Sequence, residues 1–526
     1  MLEDHNPIFG KNVIETLSEG MYDNPLFLFR EYVQNAADAL DAAKRAGILQ
    51  NEEGQIEIFV EPNKRLITFE DNGIGIPKDS VKKMLANIGD SLKDRKIDKG
   101  FRGIGRLGGL GYCRKVRFET SAQGEPIKSF LEWDAKKLHE ILANKNDHTD
   151  AGSLIKRITS TWEESCPVGE HYFKVSLLEV NDSNVNDLLD IEDIRHYLSM
   201  VAPLPFDYAK FRFVKEIEKF INENNLPALH EYRLSINGDE VRKGYETPLK
   251  IEEESPIDIL GVECRLIRAK DRVIGWYWFC VSKFEGVLPK KCWQRGIRLR
   301  KANIQIGEAD CLSNHPKRGQ ALWREDRGNN YFIGEIHAID EDLIPNSRRD
   351  YFNQDEACRR FEAALQSEFR NLHDLYHHAS AIRSASLTIE AAKIAKEEFD
   401  TKERKRAFYD KVERTKAAEK VNVAVQKAQT AQRVIEKIKE KVQQPPRSES
   451  EIMPIAHVLN SYVRETMEVA VPTELAERPQ KGFVREGIKK QINVVLEVVF
   501  DVLHKQLPED EAEKIKKEIL KRFIRR

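Results

Sequence analysis

The sequence predicts an α+β protein in which two mixed α/β units are followed by a helical region. Three observations predict it. Apolar residues at helical spacing over 24–46 lead into two short alternating runs, 55–61 and 66–70. A second series of helices and then strands fills 191–307. From Ala379 to Gln444 the chain turns Ala-, Lys- and Glu-rich and holds neither Gly nor Pro.

The elements follow in order. Leu28, Tyr32, Ala36 and Leu40 recur at helical intervals, and Gly47 supplies a stop. QIEIFVE and LITFE alternate as strands around a Pro62-Asn63-Lys64 turn. IEDIRHYLSMVAPLPF and KFRFVKEIEKFINEN predict helices, YRLSINGDEVRKGYE a hairpin on Asn237-Gly238, and VIGWYWFCVSKF and RGIRLRKANIQIG strands of the second unit. Val421, Ala428, Ile435 and Val442 repeat every seven residues, with Val425 and Ile438 between them. That pattern fits a coiled coil, or one long helix packed on its own chain. Pro445-Pro446 marks a linker. The stripe Val494, Val495, Val498, Val499, Val502 and Leu503 beyond it is a dimer face or a small core.

Composition excludes several classes. With 85 Lys+Arg against 87 Asp+Glu, a net charge of -2 gives no global pull toward nucleic acid. The 7 cysteines form no CxxC pair and read as reduced thiols of a cytoplasmic protein. No cleavable leader is visible in Met1 to Lys11, and no apolar run reaches the ~20 residues of a membrane span. The 13 histidines form no HExxH motif or Cys/His cluster.

Three motifs carry chemistry. Glu31, Asn35 and Asp38 lie four and three residues apart, so they share one face of the first long helix. A carboxylate there can take a proton from water, and the Asn35 oxygen suits Mg²⁺, which prefers oxygen ligands and keeps several waters. Asp71-Asn72-Gly73-Ile74-Gly75 ends the second strand; its glycines let a ligand approach the backbone, and Asp71 can accept from an exocyclic amine. GFRGIGRLGGLG, from Gly100, presents dense N–H groups suited to polyphosphate. It is neither a Rossmann fingerprint nor a Walker loop, having no strand–helix context of the first kind and no Gly-Lys-Ser/Thr.

In this order the motifs resemble the GHKL ATPases, a superfamily that takes in gyrase B, MutL, the ninety-kilodalton heat-shock chaperones, MORC proteins and histidine kinases. The resemblance implies a GHKL (Bergerat) α/β sandwich. Glu31-x-x-x-Asn35-x-x-Asp38-Ala39, the run PLFLFREYVQNAADALDAAKR and the preceding IFGKNVIETLSEGMYDN are most similar to the chaperone branch. Asn87-Ile88-Gly89, with Ser91 and Lys93, resembles the start of that family's lid. Gly152-Ser153 resembles its Gly-Thr strand near adenine.

Carried over, the resemblance makes Glu31 the base for the attacking water, Asn35 the Mg²⁺ ligand and Asp38 a supporting group. Asp71 reads adenine. Gly73, Gly75 and Asn87 line the nucleotide with Ser153, while Lys93, Gly100, Gly103 and Gly105 lie toward the phosphates. DLIPNSRRDYF resembles the chaperone's middle-domain loop, which suggests Arg349 (with Asp350 and, upstream, Asn346) as a γ-phosphate contact. Arg348 and Lys301 remain rivals.

The resemblance covers about residues 5–370. Beyond it, the chaperone's charged linker, dimerisation domain and acidic tail motif are not visible, and the layout is closer to MORC proteins. The expected organisation is an ATP-binding domain (1–185), a middle domain (186–375), a long helix or coiled coil (376–444) and a small helical unit (445–526). The expected activity is Mg²⁺-dependent ATP hydrolysis by a homodimeric clamp on a protein client. The competing outputs are a clamp on nucleic acid, for which KKCWQRGIRLRK at 290–301 could line a channel, and an ATP-binding scaffold.

Overall fold

A computed structural model describes residues 9–18, 24–50, 53–89, 105–184, 188–251, 256–313, 321–325, 327–443, 456–461, 475 and 484–524. It divides into two compact units: 1–376 with 448–454, and 377–447 with 455–526.

The first unit is built on two sheets. Strands β1 (Gln55–Glu61), β2 (Leu66–Asp71), β3 (Cys113–Ser121), β4 (Ile127–Asp134), β5 (Thr159–Ser165) and β6 (Tyr172–Val180) join β7 (Arg233–Ile236) and β8 (Asp239–Val241). Their order is β5-β4-β3-β6-β2-β1-β7-β8. All neighbours are antiparallel except β1 and β7, where Ile56 faces Leu234 in a parallel pair. The hairpin on Asn237-Gly238 forms as its sequence requires, but it extends this first sheet and not the second. The Asn237 side chain secures it by bonding both polar groups of the Val60 backbone.

Burial in β1 and β2 alternates residue by residue, the mark of a sheet packed on one face. That face shares one apolar core with helices α1 (Asn12–Ser18), α2 (Phe27–Arg45), α3 (Lys78–Ala86), α4 (Ala135–Ala143), α5 (Ala151–Ile158) and α6 (Ile191–Val201). α2 forms where the spacing predicts it.

The second sheet comprises β9 (Ile259–Ala269), β10 (Arg272–Ser282), β11 (Gly296–Lys301), β12 (Ile304–Gln305) and β13 (Ile333–Ala338), in the order β12-β11-β13-β10-β9. β10 and β13 are buried almost throughout, so both their faces are covered. On one side lies helix α7 (Val214–Glu223), which joins Trp276 and Trp278 in a common core.

A fully buried ion cluster joins the sheets. Lys243, just past β8, places its ammonium 2.7 and 2.9 Å from the two Glu335 oxygens on β13 and 2.9 Å from Asn303 Oδ1. The Arg300 guanidinium on β11 lies 2.5 Å from Glu335. It also donates to the carbonyls of Ala202 and Met200, the latter at the end of α6. Within KKCWQRGIRLRK, Arg298 and Arg300 are buried and do not form a solvated strand edge: Arg298 donates to Gln305 and the Trp293 carbonyl, and Arg300 pairs with Glu335, while Lys290 and Lys291 are exposed.

The helical segment is broken where the composition predicts continuity. Helices α8 (Glu356–Arg404) and α9 (Lys411–Gln443) are separated by a turn at which Arg406 takes φ 51°. Phe408, wholly buried, packs in the turn with Phe399, Val421 and Val425, and Arg414 closes it by pairing with Glu403. The heptad positions Val421, Val425, Ala428, Ile435 and Ile438 are buried within the chain itself. Helices α10 (Val484–Gln506) and α11 (Glu509–Ile524) follow, and Val494, Val495, Val498, Val499 and Val502 are exposed on α10.

Candidate nucleotide site

α2 is the organising element. Its apolar stripe anchors it to the first sheet, which holds Glu31 and Asp38 buried and Asn35 half-buried along one edge. The Asp71–Gly75 loop then docks on the same helix. The Gly73 amide donates to Asp71 Oδ1 at 2.9 Å, and the Ile74 amide donates to the Ala39 carbonyl at 3.2 Å. A Cβ on Gly73 would fall 2.7 Å from Ala39, so only glycine permits this approach. Gly75 takes φ +68°, and a Cβ there would lie 1.9 Å from the Ser121 carbonyl oxygen.

The glycine-rich segment meets α2 from the other side. It forms a 3₁₀ stretch, Gly105–Gly111. Tyr32 donates to the Arg106 carbonyl at 3.1 Å, and the place a Gly105 Cβ would occupy is 2.7 Å from Glu31 Oε2. The Glu31 carboxylate thus faces bare backbone. Among the described residues its buried Oε1 has no hydrogen-bond partner, and the Arg30 guanidinium lies 3.6 Å from it. Arg30 itself stacks on Phe27.

The three motifs, separated by up to about seventy residues, therefore converge on one helix edge. Asn87, exposed at the end of α3, is joined to them through Arg106, which donates to the Leu85 and Asn87 carbonyls. Burial lowers the Arg106 guanidinium to about 10, so it stays charged at neutral pH. Lys93, Gly100 and Gly103 lie outside the described residues.

Ser153 departs from its expected place. Asp150 accepts from the Ser153 amide at 3.0 Å and caps α5, so Gly152-Ser153 opens a helix and is no strand. The strand that borders Asp71 is β6, where Asp71 pairs with Phe173. Just before that strand lies His171, whose Nδ1 donates to the Gly73 carbonyl at 2.9 Å. Neither His171 nor Arg106 was singled out by spacing, since each acts through a backbone carbonyl that no motif names.

In the second sheet's neighbourhood, Arg348 is exposed and Arg349 is buried. Arg349 takes φ 54°, uncommon for a residue with a Cβ, and is fixed there by Gly307 donating to its carbonyl at 2.7 Å. Asn346 donates to Asp350 across the same turn. Lys301 is engaged elsewhere: its ammonium donates to the Asp340 carbonyl at 2.6 Å.

All seven cysteines are free thiols, and among the described residues no helix is long and apolar enough to cross a membrane.

Residues 28–161 match the family described as histidine kinase-, DNA gyrase B-, and HSP90-like ATPase. The chaperone protein HtpG of Shewanella denitrificans is 28% identical over 145 residues, 24% of this chain and 23% of that protein. HtpG of Burkholderia lata is 28% identical over 164 residues, 28% of this chain and 26% of its own. The chain thus spans about a quarter of the length of the curated relatives it matches. The converging motifs and this match together identify residues 28–161 as a GHKL-type ATPase domain.

Proposed function

We propose that this protein binds ATP at the α2 edge, hydrolyses it with Mg²⁺, and acts as a dimeric clamp that couples closure to a protein client. One observation carries the reading: the buried Glu31 carboxylate faces the Gly105 backbone, with one oxygen that no hydrogen bond engages among the described residues.

Each role follows from local chemistry. Glu31 accepts the proton of the attacking water through its open oxygen. Asp71, which accepts from the Gly73 amide, presents its carboxylate at the strand end to the adenine amine. Gly73 and Gly75 keep side-chain bulk away from the base. The Gly105 amide and those that follow it turn toward phosphate. The residues fit Mg²⁺: Asn35 offers a half-buried neutral oxygen on the same face as Glu31. That ion supplies neutralisation of phosphate charge. Asp38 supports this face from one turn on. Arg349, held by its backbone, is the favoured γ-phosphate contact over exposed Arg348 and engaged Lys301. The organisation proposed is an ATP-binding part, a middle part carrying Arg349 and a helical part that holds the partner.

Similarity to HtpG supports the protein client. Arg298 and Arg300 are buried, which weighs against those two arginines as contacts to nucleic acid. The test is steady-state ATP hydrolysis by wild type, Glu31→Ala and Asp71→Asn, with and without duplex DNA, alongside aggregation of a denatured client. Expected are turnover lost in Glu31→Ala with ATP still bound, binding lost in Asp71→Asn, indifference to DNA and suppressed aggregation. Full turnover by Glu31→Ala would refute the base assignment, and stimulation by DNA would refute the client.

A further inference from the structure

A cavity opens in the first unit away from the α2 edge. It is a cleft of about 1060 Å³, at the top of the usual range for ligand pockets. Leu131 on β4, with Thr159 and Thr161 on β5, forms its floor, and α1, α3 and α5 contribute its walls. Neither Glu31, Asn35, Asp38 nor the Asp71–Gly75 loop lines it. β4 stands three places from β2 in the sheet, about 14 Å from the strand that ends in Asp71. Asn87 alone is common to both, and Arg106 donates to its carbonyl.

Two features point to a ligand. The first is exposed hydrocarbon held in place. Phe9 and Val13 stand at the rim with relative exposures of 70% and 44%. The Phe9 carbonyl accepts from the Ala151 amide at 2.8 Å, and Lys11 donates to the Ile141 and Asn144 carbonyls, so the rim is fixed on α4 and α5. The second is charge. Lys82 and Lys83 on α3 and Lys156 on α5 line the cleft, and no carboxylate does so among the described residues. Neighbouring lysines have counter-ions: Lys78 pairs with Glu163 at 3.7 Å, Lys115 with Glu132 at 2.8 Å and Lys128 with Glu164 at 3.1 Å. Among the described residues no ion pair or hydrogen bond engages the three that ring the cleft.

We propose that this cleft binds a single-chain amphipathic anion, an alkyl body carrying one carboxylate. The chain covers Leu131, Ile155 and the Phe9 ring, and the lysines of the two walls supply the counter-charge for the head. A peptide is the poorer occupant. The lining is mostly hydrocarbon, and the Thr159 hydroxyl already donates to the Ile155 carbonyl at 2.8 Å. A backbone laid on this floor would bury amides short of partners, whereas an alkyl chain needs none.

The experiment is calorimetric titration of the full chain with hexanoate, octanoate and decanoate, and with inorganic phosphate as a head without a body. Expected is saturable binding whose affinity rises about two- to fourfold per added methylene, with no binding of phosphate. The combined variant Lys82→Glu, Lys83→Glu and Lys156→Glu should weaken decanoate about tenfold or more. Its ATP affinity should stay within about twofold of wild type, and its unfolding midpoint should hold, because all three side chains are exposed. Val13→Asp, also at an exposed position, should weaken decanoate as well. ATP with Mg²⁺ should not displace decanoate. Equal decanoate affinity in the combined variant would overturn the proposal, since it would place binding elsewhere. So would an affinity indifferent to chain length, or displacement by ATP, which would put the ligand in the nucleotide site. Failure of decanoate beside charge-dependent binding of a peptide of alternating Phe and Asp would give the cleft to a protein segment and overturn it too. None of these outcomes depends on Glu31 being the base.

Discussion

Neutralising Glu335 should be among the most damaging single changes in the second sheet. Its side chain, like those of Lys243 and Arg300, is 0% exposed, and it faces both cations at 2.5–2.7 Å. At an effective dielectric constant of about 20, each contact has a gross attraction of about 6 kcal/mol, most of which offsets the desolvation of the two ions. Glu335→Gln removes the attraction and keeps the desolvation, leaving Arg300 without its counter-charge and driving the proton off Lys243, whose pKa burial already lowers to about 7. Tyr245, Trp278 and His337 also lose the charge they donate to. Breaking a buried pair typically costs 3–5 kcal/mol, and losing the counter-charge of both contacts at once puts Glu335→Gln at about 5 kcal/mol. Lys243→Met orphans Asn303 Oδ1 but leaves the carboxylate facing Arg300, so about 3 kcal/mol is expected. Guanidinium unfolding followed by tryptophan emission reads the transition, since Trp276 and Trp278 lie in the strand beside Glu335. A Glu335→Gln midpoint equal to wild type, or a larger loss in Lys243→Met, would refute the reasoning.

Two further outcomes follow from other contacts. Gly105→Ala pushes a methyl against Glu31 Oε2, the free end of a flexible side chain; stability should stay within about 1 kcal/mol while kcat falls roughly 10–100-fold, and a normal rate of ATP hydrolysis would contradict the placement of the base. Burial pulls His337 down to about 4 despite its bond to Glu335, so the folded chain leaves this ring neutral where the unfolded chain protonates it. Its contribution is complete above about pH 6.5 and is lost as pH falls toward 4, about 3 kcal/mol in all. Thermal unfolding from pH 7 to 4 should flatten in His337→Gln, and an unchanged slope would reject the assignment.

Much of the site is legible in the sequence because it depends on spacing along one helix and on glycines. Glu31, Asn35 and Asp38 need only a helical period to share a face, and Gly73 and Gly75 are dictated by contacts no other residue tolerates. What escapes is set by partners remote in the chain. Gly152-Ser153 reads as a strand until Asp150 caps a helix over it. The arginines of 298 and 300 look solvated because Glu335, which draws the second inward, lies thirty-five residues on. The break between α8 and α9 carries no Gly or Pro; it depends on Phe408 finding Phe399, Val421 and Val425. His171 and Arg106 reach the site through backbone carbonyls, which no spacing in the sequence marks.

The parallel pairing of β1 with β7 has a consequence for how the chain is made. β1 is among the earliest strands to leave the ribosome, yet the edge it offers stays unfilled until about 180 more residues have been translated. During that interval the nascent chain carries an open strand edge bearing Ile56, Ile58 and Val60, the kind of template that recruits other chains. Completion of the nucleotide-binding sheet is thus delayed until synthesis is well into the second half of the first unit. The nascent chain would therefore pass through a stage in which that edge needs shielding.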